Sequence, residues 1–124
     1  MKYYELQLGE KTYQLRLTSS NCVALEQKTG KNILDLVQDY SITNITRILE
    51  YMCKSKETNF GQKEAQQLYD ELVDNGYTLY DIIYKVLYEG LVFSGFLTEE
   101  ELKEMIETVD KGKKKVKDQI QKTL

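Results

Sequence analysis

The side chains able to do chemistry are carboxylates, lysines, tyrosines and two cysteines, because histidine is absent from all 124 positions. Its absence removes the commonest general base and metal ligand, and every Ser-His or Cys-His nucleophile with them. Cys22 and Cys53 lie far apart and outside any paired spacing, so neither a CxxC redox pair nor a zinc framework is available; both are expected to pack as small hydrophobes. The densest carboxylates, Glu99, Glu100 and Glu101, are consecutive, and consecutive helical side chains point in different directions and cannot converge on one ion. With Thr98 before them they read as a capping box. Asp70, Asp74 and Asp81 lack calcium-loop spacing, and Gly30-Lys31-Asn32 lacks the upstream glycine and the Ser/Thr of a phosphate-cradling loop. The expectation is a protein that is not an enzyme, with no catalytic residue, no metal and no cofactor.

Two features point to contact rather than reaction. Tyr80, Tyr84 and Tyr88, followed by Leu91, recur at helical steps, and tyrosine offers large contact area with a polar tip. Neighbouring apolar residues already fill an inward arc, so these four are read as a candidate partner-binding surface; the plainer alternative is a central helix that uses tyrosine where its surroundings are half wet. The other feature is the basic tail Lys111, Lys113, Lys114, Lys115 and Lys117. Such a run could meet RNA, DNA or an acidic partner, but keeping a helix C-terminus soluble and complementing its dipole is the favoured role. Through Asp110 the sequence holds 11 basic and 19 acidic residues, net −8; from Lys111 it holds 6 and 1, net +5. A mostly acidic body argues against duplex nucleic acid as the main partner, since phosphate binding needs a broad basic surface.

The elements that carry these residues follow from periodicity. Tyr4, Leu6 and Leu8 alternate with polar residues, as do Tyr13, Leu15 and Leu17 after Gly9-Glu10. A two-residue loop sets Leu6 opposite Tyr13 and Tyr4 opposite Leu15, which places both apolar sets on one face of a hairpin; glycine first in the loop suits a type II′ turn. Glu5, Gln7, Gln14 and Arg16 make the solvated face. From there the period is helical. Thr18 or Ser19 caps a first helix that stops at Gly30, and Asn32 caps a short turn with Ile33, Leu34, Leu36 and Val37. A third helix follows Thr43 with Ile45, Ile48, Leu49 and Met52 in one stripe, and a fourth runs from about Gly61 to Asp74 with Ala65, Leu68, Leu72 and Val73 inward. The fifth begins at Thr78 and is the most apolar: at about 100° per residue, Leu79, Ile82, Ile83, Val86, Leu87, Gly90 and Phe93 fill one arc. It is the expected central helix against which the hairpin packs. A sixth starts at Thr98, with Leu102, Met105, Ile106 and Val109 in a short stripe.

The expected architecture is therefore α+β, mainly α, with an N-terminal β-hairpin packed on a bundle of about five to six helices. Residues 1–110 make one globular domain, and 111–124 a basic C-terminal tail expected to fray. Apolar runs are too short to cross a bilayer and "MKYYELQLGE" has no apolar signal core, so the expectation is a protein that stays in the cytoplasm and binds no membrane.

Taken in order, "YELQLGEKTYQLRLTSSNCVALEQKTGKNILDLV", then "LYDELVDNGYTLYDII" and the closing "GLVFSGFL" resemble the tail assembly chaperones of long-tailed bacteriophages and prophages of low-GC Gram-positive bacteria, from about Tyr3 to Leu97. The likeness is one of pattern and order. It implies a mainly helical, non-catalytic protein that works in the host bacterial cytoplasm and is left out of the mature virion. The partners it implies are the tape measure protein, whose aggregation-prone helices such chaperones are thought to coat, and the major tail tube protein brought to it as the tube grows. It also implies self-association as a homo-oligomer, and no specific nucleic acid. The reading from another class is a small helical regulatory or nucleic-acid-binding protein using its basic tail.

Overall fold

The alternation near the start of the chain forms the hairpin as expected. Strand β1 (Tyr4–Leu8) pairs antiparallel with β2 (Lys11–Leu15), with Tyr4 opposite Leu15 and Leu6 opposite Tyr13. Gly9 sits at φ 62° while no non-glycine residue among those described has positive φ, the sign pattern of a type II′ turn. The computed structural model describes residues 2–108, so Val109 and the tail Lys111, Lys113, Lys114, Lys115 and Lys117, with its expected fraying, lie outside the described residues. Leu6, Leu8, Leu15 and Leu17 are buried and Tyr4 and Tyr13 half-buried.

The helices that cover this face come from the same chain. They are α1 (Ser19–Thr29), α2 (Ile33–Leu36), α3 (Ile42–Cys53), α4 (Gln62–Asp74), and α5, a continuous helix made of Leu79–Asp81, Ile82–Leu87 and Tyr88–Phe93. A further helix, α6, covers residues 99–108. The fold is mainly helical α+β. Local chemistry sets most boundaries: Thr18, Asn32 and Ser41 each accept a backbone N–H from three residues ahead, and Gly30 ends α1 at φ 72°. Helix α3 starts at Ile42 rather than after Thr43, because Ser41 takes the cap position. β2 packs on α3, and β1 on the Tyr88–Phe93 part of α5. The end of β2 is fastened by Arg16 N donating to Met52 O at 3.0 Å and Leu17 N donating to Ser94 Oγ at 2.9 Å.

One expectation about α4 fails. Ala65, Leu68 and Leu72 are buried, but Val73 is exposed, since it follows Leu72 by one residue and is turned about 100° from that stripe.

A larger departure lies in α5. Residues Ile82–Leu87 form a π-helix, in which Tyr88 N donates to Ile83 O rather than to the carbonyl four residues back. In an α-helix residues four apart drift by about 40°, and a wider turn drifts them the opposite way, so a helix that joins the two spacings keeps them nearer one line. Ile83, Leu87 and Leu91 therefore stack on one line, and Ile82, Val86 and Gly90 on the next, all buried. Phe93, expected in the inward arc, is carried out to 40% exposure. The Tyr4 hydroxyl reaches across from β1 and donates to Lys85 O at 2.8 Å.

Gly90 is where α5 and α3 come closest, for a Cβ there would run into the terminal methyl of the fully buried Met52. Gly90→Ala is expected to destabilise the fold by about 1 kcal/mol net, overpacking of about 1–3 kcal/mol outweighing the better helix propensity of alanine. Urea denaturation should also show Gly90→Ala costing less in a Met52→Ala background than alone. At the start of α5, Thr78 N donates to Asp81 Oδ2 at 2.9 Å, and this bond holds the Asp81 carboxyl down to about 2. A depressed folded-state pKa stabilises above the ordinary carboxylate range, near pH 4, and the stabilisation is lost as pH falls towards 2. Wild type should thus be more stable than Asp81→Asn at neutral pH, with the two urea midpoints converging in acid.

Candidate functional site

Helix capping has taken up several of the polar groups that might have done chemistry. Thr98 N donates to Glu101 Oε1 at 3.2 Å and Glu101 N to Thr98 Oγ1 at 3.1 Å, the capping box expected of the Glu99-Glu100-Glu101 run. Glu71 accepts from the Tyr13 hydroxyl at 2.8 Å and from Lys11 Nζ at 3.0 Å, bonds that hold its carboxyl below the usual range and tie the hairpin to α4. Cys22 and Cys53 are free thiols inside the core. Burial pushes Cys53 up to about 12, so its sulfur stays protonated and poorly nucleophilic at neutral pH. Among the described residues no group of three or more metal-ligating side chains comes together.

The four residues read as a partner surface are not one surface. Tyr88 and Leu91 are each 1% exposed, placed inside by the π turn, whereas Tyr80 and Tyr84 remain half-buried. Tyr84 donates to Asp81 Oδ1 at 3.1 Å. The Tyr88 hydroxyl donates to Val37 O at 3.0 Å, which leaves Tyr40 as the donor in the 2.8 Å contact between the two tyrosine hydroxyls. Desolvation and this partner raise the Tyr88 phenol well above its ordinary value, so it remains a neutral donor.

That pair opens onto a groove of about 450 Å³ lined by Gln38, Tyr40, Tyr88, Glu101, Glu104 and Met105, with Thr108 at the last described position of α6. The α2–α3 connection forms one wall and is held by the Lys31–Asp39 ion pair at 3.0 Å and by the bond from Tyr88 to Val37. Helix α6 forms the other and is anchored by buried Leu102. The stretch leading into and out of this wall also exposes Leu34, Tyr40 and Ile42, at 58%, 37% and 47%.

No family model, curated protein or solved structure matches the chain.

Sequence reasoning missed the groove because its walls are far apart in the chain. One signal was legible: α2 has four residues, and a single turn that carries Ile33, Leu34 and Leu36 with Val37 behind them cannot bury them all on one side. Leu34 is the one left out.

The tyrosine pair supplies a graded test. Tyr88→Phe strands the Val37 carbonyl and removes the acceptor for Tyr40, so a loss of about 1–3 kcal/mol is expected in urea denaturation. Tyr40→Phe, at the exposed end, should cost about 0.5–1.5 kcal/mol.

Proposed function

We propose that this protein is a non-catalytic binding protein, a tail assembly chaperone of a long-tailed phage or prophage. It shields apolar helical stretches of the tape measure protein and brings tail tube subunits to them, self-associating in the host bacterial cytoplasm and staying out of the mature virion. The observation that carries this reading is the set of exposed apolar residues Leu34, Tyr40 and Ile42, of which Tyr40 lines a groove, in a body several of whose carboxylates serve as caps and ties. The ordered likeness from Tyr3 to Leu97 supports it from the sequence side. Shielding needs only burial, worth roughly 25 cal/mol per Å² of apolar surface covered, and an amphipathic client helix lying in a groove is a recurrent way to obtain it. The revised client surface is the Leu34–Ile42 wall, with Tyr80 and Tyr84 retained from the sequence reading and Tyr88 and Leu91 removed from it.

Co-expression tests this directly. A tape measure protein, the proposed client, should be soluble with this protein and insoluble without it, and a Leu34→Ser, Ile42→Ser double variant should keep its own melting profile yet recover at least several-fold less soluble client. A tape measure protein equally soluble in every case overturns the reading. A salt-dependent shift of DNA or RNA by the purified protein would support a nucleic-acid-binding role in its place.

A further inference from the structure

The groove has two kinds of wall. Tyr40 gives an exposed aromatic wall, with Tyr88 buried behind it, while α6 presents Glu101 and Glu104, three residues apart and so on one face, with Met105 beside them. A segment that suits both carries ammonium groups on long aliphatic stems, because stems lie on aromatic and thioether surface while the charged ends reach carboxylates. The sequence contains one such run, Lys113-Lys114-Lys115-Val116-Lys117, in the stretch whose net charge is +5 against −8 for the rest.

We propose that the groove seats this lysine run from a second copy of the chain; the proposal deepens the self-association in the function proposed above and rests on it. Glu101 and Glu104 belong to the helix that leads the chain to Thr108, so a lysine run of the same copy would have to double back within a few residues to meet them. A second copy needs no reversal. Thr108 itself lies on the groove, and a two-fold axis there would let each copy serve the other with the same contacts. Glu101 already gives one oxygen to its cap, which makes Glu104 the principal partner.

Light scattering on the full chain over a concentration series, at low and high salt, tests this. The expected result is a dimer weakened roughly tenfold or more by high salt, and to a similar degree by Glu104→Lys or by K113E/K114E/K115E. Mixing the two charge-reversed variants should restore association, which only contact between copies explains. If Glu104→Lys fails to fold by circular dichroism, an excess of synthetic peptide with the sequence of residues 110–122 serves in its place and should dissociate the wild-type dimer. A monomer at every concentration, a dimer indifferent to salt and peptide, or variants that stay apart on mixing would overturn the proposal. A monomer that still keeps the tape measure protein soluble would sink this inference and leave the chaperone reading standing, and a groove-linked dimer that ignores the client would do the reverse.

Discussion

A helix enclosed on most of its circumference must offer more apolar side chains than one α-helical stripe can hold, and the fold is arranged around the way α5 meets that demand. Its i→i+5 turn at Ile82–Leu87 keeps two adjacent lines of side chains facing the core over three turns. The neighbours complete the arrangement. Met52 of α3 occupies the space above Gly90, Tyr4 of β1 bonds to Lys85 O, and the α2–α3 connection supplies Val37 O to Tyr88. Each contact comes from a different element, so the wide turn belongs to the assembled tertiary structure more than to the local sequence. An isolated helix with i→i+5 bonding is otherwise rare.

The parts of the fold legible from the sequence are those that local chemistry decides. The hairpin register follows from strict alternation and a two-residue loop with glycine first, and the caps at Thr18, Asn32, Thr78 and Thr98 follow from side chains that reach only a few residues along the chain. The α3 stripe of Ile45, Ile48, Leu49 and Met52 also reads correctly, because one buried face at 3.6 periodicity is enough to define it. What escaped was anything set by residues distant in sequence. Assuming an uninterrupted 3.6-residue period put Phe93 inside and Tyr88 with Leu91 outside, and a single wide turn reversed all three.

The candidate surface was hidden for the same reason. Tyr40 and Tyr88 are 48 residues apart, and no periodicity in either segment announces that their hydroxyls meet. Once they do, one tyrosine of the stripe read as a contact surface becomes structural, and exposed apolar area lies instead at Leu34, read as part of a short turn, and at Ile42, which the sequence reading left outside the third helix. Glu50 is a different case, in which nothing distant in sequence is involved. It is 5% exposed in the middle of α3, between Arg47 at 3.2 Å and Lys54 at 3.6 Å, a buried carboxylate whose partners stand on its own helix.

The hairpin's fastenings bear on how the chain comes off the ribosome. Its strands are made before the helices that cover them, and Tyr4 bonds to a carbonyl 81 residues later and Leu17 to a hydroxyl 77 residues later. A two-stranded ribbon is only marginally stable by itself, so during translation its leucine face waits for most of the polypeptide to emerge before it gains a lid. The nascent hairpin is thus the stretch for which speed of elongation and access to folding helpers matter most.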